Sequence, residues 1–308
     1  IKGIIKTINK YNNHFILGVY GSGLLKFNPK TGQTSVLPLT NDASPSKLVF
    51  ATYVNDKELW VGGIDGPVKH YQKGVLVNSY KTGNARSIIS NDGALMYVGS
   101  VSGLFEINKR TKEFKRIQND VFKNIEQIYA LYFDQKNNCI WIGNTQGLLS
   151  YNLESKEIKL LNKELNFESG TVFSIQKDTA DNLWIGSYSG LWKLNPSVGT
   201  IRKYDTADGQ TIESFGFGPS TSSSENRLAF GGPYGATLFS PQNLLKEKAD
   251  IKIYVSDFKV NGVTPDSTVL VKNINFLNKI ELNYNQNSLR FNFENDVINE
   301  LTNLSCIL

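Results

Sequence analysis

One pattern recurs six times along this chain: a short apolar run closed by glycine, three or four variable residues, a second glycine, and usually another apolar run. The copies run from Phe15 to Leu25, Leu59 to Val68, Met96 to Phe105, Ile140 to Leu149, Leu183 to Trp192 and Leu228 to Thr237. Their first glycines are Gly18, Gly62, Gly99, Gly143, Gly186 and Gly231, separated by 44, 37, 44, 43 and 45 residues. A period of about 40–45 residues built from short strands is the spacing of a β-propeller blade. A sheet that small cannot hide both of its faces, so neighbours must stack on it.

The fourth copy divides most clearly into strands. Residues 127–134 are rich in aromatic and β-branched side chains, as strands are. Polar turns separate them from strands expected over 139–143, 148–152 and 157–161. The fifth copy repeats this order. The second strands are continuous apolar runs, as expected where both faces are covered. The fourth strands carry Lys and Glu, which protects an outer edge from pairing with other chains. The paired glycines are expected to permit positive φ and close approach of neighbouring blades. Trp60, Trp141 and Trp184 share one position in the repeat, where packing between blades is the plain role and sugar stacking the other. Counting from Ile4, six four-stranded units fit before about residue 245. Six can close a ring, and seven would need a unit from upstream; the sequence leaves both open.

The rhythm stops after Pro241. A polar connector over 243–249 leads to strands expected over 251–260, 279–284 and 289–293, with Asn261-Gly262 as a hairpin turn. This reads as the start of a small, immunoglobulin-like β-sandwich that is incomplete at Leu308. The domain division is therefore 1–245 for the propeller and 246–308 for the partial sandwich. With no starting Met, the chain reads as an excised or processed piece.

Bulk properties narrow the function. The 33 basic and 28 acidic residues leave a net charge of only +5. The densest basic stretch, Lys109, Arg110, Lys112, Lys115 and Arg116, falls where two outer strands should turn and lacks any nucleic-acid motif. Cys139 and Cys306 fall in different domains, so no disulfide is indicated, and Cys139 reads as a small strand residue. The two histidines, His14 and His70, lie in different blades and suit exposed strand ends. No metal-ligand spacing or phosphate loop appears, so no catalytic residue, metal or cofactor is assigned.

A binding site fits better. The loops joining second and third strands emerge on the same end of the ring as the links between blades. They gather Tyr20, Asp65, Asn144, Gln146, Tyr188 and Tyr234, with Arg86 and Glu126 from the links. Aromatic faces with planar amides and charges suit an oligosaccharide or a partner domain.

The repeats resemble the two-component-regulator propeller family. The resemblance rests on Leu183-Trp184-Ile185-Gly186 through Gly190-Leu191, on Leu194-Asn195-Pro196, and on Lys26-Phe27-Asn28-Pro29. Residues 213–241 look like the closing repeat of such proteins, and 253–261 with 282–289 resemble the start of their triple-tyrosine domain. Gly66-Pro67-Val68 departs from the usual Gly-Leu, and the tail ends before the tyrosine-rich strands. The resemblance implies the periplasmic sensor region of a hybrid two-component histidine kinase, of the type that detects carbohydrate breakdown products. It implies no catalytic site in this region. It also implies a second propeller and sandwich in the same protein, a homodimeric ectodomain, and a membrane reached only through segments outside this chain. A propeller-fold polysaccharide lyase or hydrolase, and a protein-interaction scaffold, are the alternatives.

Overall fold

In a computed structural model, the protein is described over residues 2–64, 66–91, 93–124, 127–204, 208, 214–216, 220–233, 235–244, 253–264, 282–295 and 304–307. Each repeat folds as one antiparallel sheet, because its apolar runs are joined by polar turns short enough for hairpins. In the fourth repeat, Ile128–Asp134, Cys139–Asn144, Gly147–Asn152 and Ile158–Leu160 pair in chain order. These bounds lie within a residue of those expected. Four-stranded blades span 4–36, 49–80, 85–116, 128–160 and 172–204. The sixth blade shows three described strands, Ser220–Ser222, Leu228–Gly232 and Gly235–Phe239, rather than four. The fold is an all-β, six-bladed propeller, and the first described strand of each of blades one to five packs against that of the next.

The core lies between blades, not within them. Tyr97 and Leu104 of blade three pack with Ile128, Ile140, Ile142 and Leu149 of blade four. Ala130, Trp141 and Leu148 of blade four pack in turn with Val172, Leu183, Ile185 and Leu194 of blade five. Full burial of each large aliphatic side chain stabilises by about 1.5–3 kcal/mol, so each seam is a separate hydrophobic core.

The two glycines of the repeat have separate jobs, not the shared one expected. Gly143 sits where a Cβ would lie 2.6 Å from Val172 Cγ1 and 2.8 Å from the Val172 carbonyl oxygen, so it lets blade five approach. Gly147 turns the hairpin at φ +137°, a left-handed conformation that side chains resist.

Trp60 and Trp184 are fully buried and Trp141 nearly so, which gives them to inter-blade packing and not to sugar stacking. Each indole N–H donates to a carboxylate at the first hairpin of its own blade. The distances are 3.1 Å to Glu58 Oε2 for Trp60, 3.2 Å to Asp134 Oδ2 for Trp141, and 2.9 Å to Asp178 Oδ2 for Trp184. The next blade then supplies a cation. Lys109 Nζ of blade three reaches Glu58 Oε1 at 2.9 Å, and Lys177 Nζ of blade five reaches Asp134 Oδ1 at 2.9 Å and its own Asp181 at 2.8 Å. Burial pushes the Asp134 carboxyl upward, but hydrogen bonds from Lys177, Asn137 and Trp141 outweigh it and hold the group below the ordinary aspartate range.

Blades one and six carry exposed apolar residues. Val49, Ala85, Ile128 and Val172, which open the inner strands of blades two to five, are completely buried, whereas the matching Ile5 is 37% exposed. Leu238 on the third strand of blade six is 66% exposed.

The chain divides into compact units Ile1–Leu244 and Leu245–Leu308. The second contains a three-stranded antiparallel sheet of Ile253–Val260, Leu289–Asn295 and Leu304–Ile307. Asn261 (φ +49°) and Gly262 (φ +80°) form the expected tight turn. The strand expected over 279–284 is corrected in part: Leu282 and Asn283 are irregular and Tyr284 begins a turn, while 279–281 lie outside the described residues. Gln286 N–H closes that turn onto the Asn283 carbonyl at 2.9 Å, which takes the backbone out of a ladder.

Candidate functional site

Every inner strand of blades one to five carries one extra residue at the same place. Ile5 pairs with Val19 and Thr7 with Gly18, leaving Lys6 unmatched. Phe50, Arg86, Tyr129 and Phe173 are unmatched in the same way in the next four blades. Such bulges bend a strand and re-aim a side chain, and they recur beside functional sites. Here all five residues line one cavity of about 270 Å³ that is walled by inner-strand residues of all six blades. The cavity is the central channel of the ring.

The five side chains gather in two groups. Lys6 Nζ and Arg86 Cζ lie 5.0 and 4.2 Å from the centre of the Phe50 ring, so two cations contact one aromatic ring. The Tyr20 ring meets Phe50 edge-on at 5.5 Å. Across the channel, Tyr129 and Phe173 lie 5.1 Å apart, and the Tyr129 hydroxyl donates to Gln127 Oε1 at 2.7 Å. Deeper polar groups tie blades together: Asn9 Nδ2 donates to Thr52 Oγ1 at 2.5 Å, and Gln176 Nε2 to Ser220 Oγ at 2.9 Å. Burial lowers the basicity of Arg86, while the nearby Tyr129 and Tyr20 hydroxyls oppose that change. Burial also lowers Lys6, with the Arg86 charge adding to it, and raises the Tyr129 phenol.

Of the residues expected to meet a ligand, the structure brings Arg86 and Tyr20 together at Phe50. Asn144 is buried, and its side chain closes its own hairpin: Nδ2 donates to the Gly147 carbonyl at 3.1 Å, and Oδ1 accepts Gln146 N–H at 2.7 Å. Gln146 is exposed on that turn. Tyr188 is 70% exposed, tied down through its backbone N–H to the Thr171 carbonyl at 2.9 Å. Neither Asn144, Gln146 nor Tyr188 is among the channel-lining residues. Asp65, Glu126 and Tyr234 lie outside the described residues.

Lys6, Phe50, Tyr129 and Phe173 were missed. Their signal is positional: with Arg86 they stand 12 to 14 residues before the first glycine of the first five repeats, one or two residues after the one that opens the strand. Each of the five is large where the residues on either side of it are small or aliphatic.

The histidine expectation is corrected for His70. It lies inside a third strand, is buried, and stacks on Trp60 with ring centres 4.1 Å apart and planes 11° from parallel. Its Nε2 is 3.0 Å from Glu58 Oε2. Burial lowers its pKa although Glu58 pulls the other way. Among the described residues, no three His, Cys, Asp or Glu side chains converge as a metal site requires. Cys139 is a buried thiol that burial pushes up to about 12.

Comparison with known proteins finds the same fold in other chains. No family model matches the chain. Histidine kinase P4 of Formosa agariphila is 25% identical over 292 residues, which are 88% of this chain and 21% of that protein. The chain thus spans about a fifth of the relative's length. Among solved structures, the extracellular domain of the putative hybrid two component system BT3049 from B. thetaiotaomicron aligns with a TM-score of 0.62 and 17% identity, over 98% of this chain and 47% of that one. The extracellular domain of the putative hybrid two component system BT4673 from the same organism aligns with a TM-score of 0.63 and 18% identity, over 83% and 35%. The resemblance read from the repeats is thereby borne out: the structural neighbours share the fold, and the sequence relative is a histidine kinase.

Proposed function

We propose that this chain is an extracytoplasmic sensor module of a hybrid two-component histidine kinase, without a catalytic site of its own. It binds a carbohydrate-derived ligand in the mouth of the central channel and passes the signal through the C-terminal sheet. The observation that carries this reading is the ring of five bulged side chains around one open cavity. A bulge repeated in five blades costs ladder hydrogen bonds each time, so it is kept for what it presents. Aromatic faces beside cations and amides suit a sugar ring, which offers an apolar face and a polar rim.

The named histidine kinase relative and the extracellular neighbours support the sensor role and an outward, periplasmic location. Among the described residues no helix is long and apolar enough to cross a membrane. The lyase or hydrolase reading loses one of its two histidines, because His70 is held under Trp60 away from any substrate. Ligand binding would act by favouring one arrangement within a dimeric ectodomain. Isothermal calorimetry against neutral, amino and acidic oligosaccharides tests the reading. Micromolar to millimolar heats from at least one class are expected, and silence from all of them would sink it.

A further inference from the structure

The channel mouth has a charge imbalance that the sensor reading leaves unused. Lys6 and Arg86 both contact the Phe50 ring, and no described residue lining the cavity is an Asp or Glu. Arg86 Nε is buried and has no hydrogen-bond partner among the described residues. A buried guanidinium N–H normally finds an acceptor, because leaving it bare costs its hydration. Nε is also the donor that, with one Nη, meets a two-oxygen anion edge-on. Phe50 holds the guanidinium by a contact of 4.2 Å from ring centre to Cζ, and the side chain lines the cavity, where an entering anion would meet it. The Tyr129–Phe173 pair supplies an apolar wall on another side of the same cavity.

From this geometry we infer that the channel mouth selects acidic saccharides, holding a carboxylate or sulfate group on Arg86 with Lys6 beside it while the sugar ring lies against the aromatic wall. The inference rests on the saccharide-sensing reading above and adds the ligand class and the residue that discriminates.

The test uses the whole chain and oligosaccharides matched in pairs: uronate-containing, sulfate-ester-containing, and the neutral counterpart of each. Calorimetry on wild type is expected to give heats from acidic members only. The two acidic arms tell carboxylate from sulfate. Arg86→Gln should weaken that binding about tenfold or more, the share of a charge-assisted pair, and Arg86→Lys should recover part of it. Lys6→Gln, at a half-buried site, gives an independent loss if Arg86→Gln fails to fold. Tighter binding at low salt should accompany both. Neutral members binding as well as their acidic partners, unaffected by Arg86→Gln, would overturn the anion site and leave the sugar sensor standing. Silence from every member would overturn the anion site, and silence from amino oligosaccharides as well would overturn both readings.

Discussion

Gly99→Ala isolates the close approach of blades on which this fold depends. Gly99 lies in the second strand of blade three, and its φ is not left-handed. Backbone entropy alone would therefore make alanine stabilising by about 0.4–1 kcal/mol. The space forbids it: a Cβ there would stand 2.5 Å from Ile128 Cγ2, with Ile128 Cβ and Leu131 Cγ next at 3.3 Å. Forcing a methyl into such a seam costs about 1–3 kcal/mol, so a net loss of about 1–2 kcal/mol is expected. Ile128 is completely buried, and Ile128→Ala alone should cost about 2–5 kcal/mol. In the double variant Cγ2 is gone and the remaining 3.3 Å contacts are tolerable with small shifts. The pair should then be less destabilised than the sum of the singles by about 1–3 kcal/mol. Equilibrium urea unfolding followed by tryptophan fluorescence measures all four proteins. Costs that add to within about 0.5 kcal/mol, or a stabilised Gly99→Ala protein, would show that blade four does not press on this glycine.

Three further outcomes test other parts of the scheme. The Asp134 carboxyl is depressed in the folded state, so its stabilisation is complete above the unfolded value of about 3.9 and is lost as pH falls through the folded one; Asp134→Asn should flatten the acid limb of stability, and an unchanged limb would contradict a stabilising Lys177–Asp134 pair between the blades. Trp184→Phe removes the donor to buried Asp178 and should cost about 1–3 kcal/mol in urea, a loss that Tyr188→Ala at its exposed position should not reproduce. Cys139, buried with a thiol pushed up to about 12, should react with a thiol reagent only on unfolding; rapid labelling of Cys139 itself in the native protein, located by peptide mapping apart from Cys306, would mean that blade four opens.

The periodic glycines and apolar runs determined the repeated sheets, because a blade is a local object: four strands, three turns and a period that hairpins impose. That is why the strands of blades four and five could be placed from the sequence nearly to the residue. The tail was less legible around 282–284, where Leu282 and Tyr284 alternate like a strand but Asn283, Asn285 and Gln286 favour a turn that closes on its own backbone. The loop residues were chosen by the end of the ring they should occupy, which says nothing of where side chains point. Asn144 was drawn into its own hairpin, whereas Arg86 was turned inward by a bulge. His70 looked like a strand end but sits in the middle of one, under Trp60. Only stacking the blades radially could bring Lys6, Phe50 and Arg86 together in one cavity, since they stand 44 and 36 residues apart in sequence. Pattern along the chain specifies each sheet through short-range pairing, but the channel is made of residues that meet solely because six sheets turn about one axis.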